Sequence, residues 1–438
     1  MNMISRRRFL TLSSGLVVAG CTNSSGGAPS DGAPTTAADP NPASTTTAAT
    51  TNATTTTMPS AVTTIATPSG LVPDDRVLVM VELAGGNDAI NTLAPLVESY
   101  RSLRPTLALA ESDLITSAML PGHGLHPSLA PLLPSLEGGR LAVLAGIGFS
   151  NPNRSHFVST DRWMRADRMD QQFGWLGRWL DQLPDDPSAL GATALGSNGQ
   201  MLLGTARYGT VIDGVDSFAY PAGIGNASIR ALTEPIADEP LLAAAQRAFL
   251  ASIGAIEEFD PIADALRARL PEPGADDVTA PRGTFSTGLA VAAQLIISDV
   301  GTRVVTVTGG GFDTHSEQLG THADLLADLA VGLDAFWQVI DEAGMSDRVL
   351  LVTHSEFGRR VVENASGGCD HGAGGVTFVM GDNIQPGLHG TIDLTDLLDG
   401  DLRPAIDPGN VFTTCLDWLG GDVEAVLGQR SDDLRLLA

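Results

Sequence analysis

The sequence predicts an α/β fold in which a mostly parallel central sheet carries helices on both faces. Three observations predict it. Short apolar runs, RVLVMVEL (76–83), RLAVLAG (140–146), RVVTVT (303–308), VLLV (349–352) and GVTFVM (375–380), read as strands covered on both sides. Amphipathic or small-residue helical stretches alternate with them, and most of the runs end in glycines followed by polar residues. In an open α/β sheet the strand C-termini share one edge, so polar residues distant in sequence meet there.

The whole chain sets limits first. Its 438 residues can hold one large domain or two modest ones, and a 43% hydrophobic content is enough for a substantial core. Fifty-one acids against 25 bases give a net charge of −26, which argues against nucleic-acid binding and against docking on anionic lipid. Cys21, Cys369 and Cys415 are too few for a disulfide framework or a cysteine zinc cluster. They leave room for a single Cys369–Cys415 bond, which nothing else in the sequence supports.

The start of the chain reads as an export signal. Ser5-Arg6-Arg7-Arg8-Phe9-Leu10 matches the twin-arginine pattern, and the apolar run that follows is too short to span a bilayer. Val18-Ala19-Gly20-Cys21 resembles a lipoprotein cleavage box, so residues 1–20 are expected to be removed and Cys21 to carry lipid. Residues 21–72 are nearly all Thr, Ala, Ser, Pro, Asn and Gly, and are expected to form a disordered tether. The expected location is the outer face of the cytoplasmic membrane or the cell envelope, with the lipid as the only membrane contact.

The folded part is expected over 73–438. After the first strand comes Gly85-Gly86-Asn87-Asp88, where Asp88 is either a site residue or a helix N-cap. After the second comes Arg154-Ser155-His156, ahead of a helix over 157–165. Ser155 there is either a cap or a nucleophile at the positive end of the helix. Residues 185–285 read either as a cap or insertion or as further core elements, with strand-like runs at 201–203 and 211–212 and a helix over 240–270. A small-residue helix over 287–297 precedes the third strand.

Beyond it stands Gly309-Gly310-Gly311-Phe312-Asp313-Thr314-His315, in which a carboxylate and an imidazole alternate after a pliable turn. Zinc accepts both ligand types, whereas magnesium, calcium or manganese suit an oxygen-rich set. A long helix over 319–343 places Leu319, His322, Leu326, Leu329, Leu333, Phe336 and Ile340 on one buried stripe, with His322, and Trp337 beside it, as packing residues. The fourth strand runs into His354, Ser355, Glu356 and Arg359, and a glycine-rich turn then ends in Asp370-His371-Gly372. Trp418 reads as core.

The motifs GGNDAIN, NRSHF, GGFDTH, SEFGRRVVEN and CDHG, in this order, resemble the exported bacterial domain-of-unknown-function family 1501, which is similar to the alkaline phosphatase and sulfatase superfamily. The resemblance spans roughly 77–390 and implies an alkaline-phosphatase-like three-layer sandwich holding divalent metal ions, up to two. It implies metal ligation by Asp88, Asp313, His315, Glu356, Asp370 and His371. It places Ser155 and His156 at the catalytic position and gives Arg154 or Arg359 to a tetrahedral anion. A further reading makes His156 a metal ligand and water the attacking group.

Two departures from the superfamily pattern stand out. Asp313 and His315 form Asp-x-His where Asp-x-x-x-His is usual, and Ser355-Glu356 replaces an Asp-His pair. No Cys-x-Pro-x-Arg motif is present, so formylglycine chemistry is not expected. The expected function is metal-dependent hydrolysis of small phosphate or sulfate esters. The alternative is a non-catalytic binding or envelope-assembly protein on the same fold. Oligomeric state is not legible.

Overall fold

A computed structural model describes residues 75–185, 187–196, 198–220, 226–231, 236–269 and 283–437. The expected signal, Cys21 and tether lie outside the described residues. Eight strands form the main sheet: β1 (Val77–Leu83), β2 (Leu141–Ile147), β3 (Ala192–Leu195), β4 (Thr210–Ile212), β5 (Val304–Gly309), β6 (Val349–His354), β7 (Gly375–Met380) and β8 (Gly387–Gly390). Their order across the sheet is β8-β2-β7-β6-β1-β5-β3-β4. β1 pairs in parallel with β5 and β6, and β7 runs antiparallel to both β2 and β6.

Alternation along β1 shows why the run is apolar on both sides. Val77, Val79, Val81 and Leu83 enter one core, and Leu78 and Met80 enter the other. The first core is closed by α4 (Thr284–Ile297) and α5 (Gln318–Glu342), with α3 (Pro240–Arg269) beyond them. The second is closed by α1 (His156–Arg165), α2 (Trp175–Leu180) and α6 (Pro408–Leu419), which contribute Trp163, Trp175, Trp179, Phe412 and Trp418. The result is three layers. No helix among the described residues is long and apolar enough to cross a membrane.

The structure adds to some of these readings and corrects others. Part of the 185–285 stretch belongs to the main sheet as β3 and β4, while α3 sends Phe259, Ile262 and Leu266 into the first core. The run at 201–203 is largely a 3-10 turn, Gln200–Leu202, not a strand. Leu319 is 42% exposed, off the buried stripe of α5, because the face that packs starts at Gln318 and His322. Cys369 and Cys415 are both buried and both free.

Candidate metal centre

The parallel strands β1, β2, β5 and β6 end at one edge of the sheet. β7 runs the other way, so the residues that lead into it lie at that same edge. The loops after β1, β2, β5 and β6 and the turn before β7 therefore surround one place. Two of them touch closely. Gly85 has φ +122°, and a Cβ there would stand 2.3 Å from the backbone nitrogen of Asp313. Only glycine lets the first loop cross under the Asp313 loop.

Four side chains converge at this edge. His156, Asp313 and His371 offer donor atoms within 4.8 Å of one another. His156 Nε2 is 3.0 Å from His371 Nε2, and His371 Nε2 is 3.1 Å from Asp313 Oδ1. His315 adjoins this trio, with its Nε2 2.9 Å from His371 Nε2 and 3.1 Å from Asp313 Oδ1. Around one ion with bonds of about 2.0–2.1 Å, neighbouring donors stand about 2.9–3.4 Å apart. These four spacings fall in that window, and His156 Nε2, 3.5 Å from Asp313 Oδ1, stands just beyond it.

The outer nitrogens fix the orientation of the rings. His156 Nδ1 meets Glu356 Oε1 at 2.8 Å, His315 Nδ1 meets Asp370 Oδ1 at 3.1 Å, and His371 Nδ1 donates to the Arg154 carbonyl at 2.8 Å. Each partner is an acceptor, so each Nδ1 is set to donate outward and each Nε2 is the nitrogen turned inward. Two Nε2 lone pairs held 3 Å apart repel unless a proton or a metal ion stands between them. Outward acceptors on ligand histidines are also what a metal site requires. The donor set therefore fits a divalent cation, with nitrogen predominating over oxygen.

Charge around the cluster supports this arrangement. Burial would raise the Asp313 carboxyl, but the hydrogen bond and the charge of Arg359 outweigh it and bring it down to about 2. Arg359, whose side chain is fully buried, donates to Asp313 Oδ1 at 2.7 Å. It also donates to the carbonyls of Gly85, Gly86, Phe312 and Cys369, tying three loops together. Phe357 lies under the rings of His156 and His371, with centroids 4.9 and 4.8 Å away.

The remaining sequence-predicted residues divide clearly. Glu356 and Asp370 hold ligand histidines from behind. Glu356 is buried and accepts from Gly85 N at 2.8 Å and from Ser355 Oγ at 3.2 Å. Asp88 stands apart from the cluster: it caps the turn Ala89–Thr92 by accepting from Ile90 N, and its two oxygens bind Arg104. Arg154 pairs with the buried Asp401 through Nε and Nη2, at 2.9 and 2.5 Å, leaving Nη1 uncommitted among the described residues. Ser155 occupies the N-cap position of α1, yet its side chain makes no capping hydrogen bond. His354 continues β6, fully buried and stacked on Trp163 at 4.7 Å, instead of facing the site.

Sequence reasoning passed over Phe357, Arg104 and Glu82. Phe357 sits inside the SEFGRR motif, and Glu82 is an acid within an apolar strand, so both had a readable signal. Arg104 had none.

Fold and site together define a three-layer α/β protein with a candidate metal centre at the C-terminal edge of its sheet. Residues 237–437 match the model of the family described as a protein of unknown function, DUF1501. The resemblance read from the motifs is shown over that stretch, which contains GGFDTH, SEFGRRVVEN and CDHG. The comparison with curated proteins returns no match.

Among solved structures, the chain is similar to Ps i-CgsB in complex with k-i-k-neocarrahexaose (TM-score 0.40, 9% identity, 82% of this chain and 75% of that one). It is also similar to a protein in the alkaline phosphatase superfamily from Vibrio parahaemolyticus (0.36, 10%, 81% and 69%). A third is the phosphonate monoester hydrolase SpPMH from Silicibacter pomeroyi (0.33, 10%, 82% and 78%).

Proposed function

We propose that the chain is a metal-dependent hydrolase of small phosphate or sulfate esters. The observation that carries this reading is the convergence of three imidazole nitrogens and one carboxylate oxygen, with every Nδ1 turned outward to an acceptor. A divalent cation seated there would supply Lewis acidity toward the ester oxygen and toward a bound water. The ligands would be His156, His371 and Asp313, with His315 adjoining them.

The chain's own residues do the rest. Glu356, Asp370 and the Arg154 carbonyl hold the imidazoles in one tautomer. Arg359 keeps Asp313 ionised and fixed; since its guanidinium is buried and spent on that carboxylate and on backbone carbonyls, it does not grip substrate. Arg154, partly exposed beside His371, offers Nη1 to an anionic oxygen. The Ser155 hydroxyl, which makes no capping bond at the N-terminus of α1, would attack or orient water.

The test is hydrolysis of p-nitrophenyl phosphate, bis-p-nitrophenyl phosphate and p-nitrophenyl sulfate by protein loaded in turn with zinc, manganese, magnesium or calcium. We expect metal-dependent turnover that Asp313→Ala abolishes together with metal content. Turnover unchanged in Asp313→Ala, or none with any metal, would sink the reading; the second result would leave a binding protein. Ser155→Ala separates the two attackers: full activity assigns attack to water.

We further propose that the protein works outside the cytoplasmic membrane on a lipid at Cys21. The support is the twin-arginine pattern, the Val18-Ala19-Gly20-Cys21 box and the polar stretch beyond it. Cys21→Ser should move the protein from the membrane fraction to the soluble one; an unchanged distribution would refute the anchor.

A further inference from the structure

The loops around the centre contain more acids than the metal-capable cluster uses, and the surplus is accounted for in detail. Asp88 is fully buried, and a carboxylate has about four lone-pair sites on its two oxygens. Oδ1 receives Ile90 N at 3.2 Å and Arg104 Nη2 at 3.0 Å, while Oδ2 receives Arg104 Nη1 at 2.5 Å and Gln318 Nε2 at 2.5 Å. Nothing is left over for a metal.

Arg104 is spent just as completely. All five of its N–H groups donate: two bonds to Asp88, one to Asn91 Oδ1 at 2.8 Å, and one each to the carbonyls of Arg360 and Val361 at 2.8 Å. Its side chain and that of Asp88 are both fully buried. A buried guanidinium with five satisfied donors is a fixed unit of positive charge in an oxygen-lined chamber. The chamber connects with the cluster through Gln318, whose Oε1 accepts from Thr314 Oγ1 at 3.1 Å, between Asp313 and His315.

Asp313 is the contrasting case. It is half exposed, its Oδ1 faces three imidazoles, and no hydrogen bond to its Oδ2 is present among the described residues. Glu356, the other surplus acid, divides its oxygens among Gly85 N, His156 Nδ1 and Ser355 Oγ.

We propose that the centre takes one metal ion per chain, and that the Arg104 guanidinium fills, as a permanent organic cation, the chamber where Asp88 would otherwise draw a second. This rests on the metal-centre reading above and narrows it from as many as two ions to one. The chemistry favours it physically. A second dication would have to displace Arg104 from Asp88, losing two charge-assisted bonds and stranding five donors.

The experiment is a stoichiometry measurement on the wild-type protein, stripped with chelator and titrated with zinc alone. Zinc-soaked crystals, examined by anomalous scattering, give the location. One equivalent is expected, with one peak among His156, His371 and Asp313. Asp88→Asn should keep one equivalent, and Asp313→Asn should bind at least tenfold more weakly. Two tight equivalents, or a peak beside Asp88, would overturn the proposal even if Asp88→Asn fails to fold, because the wild-type count decides it. The two readings fail separately. Two equivalents with ester hydrolysis would overturn only the single-ion proposal. One equivalent without hydrolysis would remove only the reaction, and no bound zinc would remove both.

Discussion

Glu82 offers the most quantitative test of the electrostatics beneath the site. It stands next to last in β1, almost fully buried, with Thr308 Oγ1 donating to its Oε2 at 3.0 Å. Burial, and then the neighbouring charge of Glu356, raise its carboxyl from 4.5 to about 7. The unfolded chain releases this proton near 4.5, whereas the folded chain holds it to about 7. The stability contributed by the protonated form is therefore full below pH 4.5 and is lost as pH rises toward 7. A rise of roughly 2.5 units corresponds to about 3 kcal/mol.

Glu82→Gln keeps the shape and the acceptor for Thr308 but never ionises. It should exceed the wild type in stability by about 3 kcal/mol at pH 8, and by no more than about 1 kcal/mol at pH 5. Urea unfolding with chelator present, at several pH values between 5 and 8, measures this directly, and the slope against urea should not change. Parallel stability curves for the two proteins would refute the reasoning, as would a variant no more stable at pH 8.

Three further outcomes are expected. Gly85→Ala combines a positive φ with a Cβ 2.3 Å from Asp313 N, so it should cost roughly 2–4 kcal/mol in denaturant unfolding and weaken zinc binding; a fully stable variant with normal affinity would contradict the loop crossing. Glu356→Gln removes the charge behind His156 Nδ1 and should lower zinc affinity about 10–100-fold by calorimetric titration while leaving the stoichiometry unchanged. Arg104→Met strands the buried Asp88 charge and should cost about 3–5 kcal/mol. Adding Asp88→Asn to it should recover part of the loss, and a double variant no better than the single one would contradict the pairing.

The layers were legible because burial on both faces leaves an unbroken apolar run, as in 77–83 and 349–352, and because α5 repeats its core residues at helical spacing. The donors were legible for a related reason. Glycines followed by Asp-x-His, or by Asp-His, mark a backbone bent to present side chains, and Asp313, His315 and His371 meet as that pattern implied. Direction was not legible: an apolar run such as GVTFVM looks the same whether it runs with or against its neighbours. Nor was partnership. Asp88 is both a cap and half of an ion pair because Arg104 folds back on it from 16 residues downstream, and no periodicity announces such a contact. His354 illustrates the same limit, since Trp163, brought from α1, stacks on it as an interior residue.

The reversed direction of β7 has a mechanical consequence. Because β6 leaves the sheet at the working edge and β7 returns to it there, residues 355–374 form one excursion pinned at both feet to adjacent strands. Glu356 stands at the outgoing foot and His371 at the returning one, with Arg359 bolted to the floor between them. One ring's support and another ring itself thus travel as a single part. A single inserted residue in this hairpin would therefore detune two positions at once.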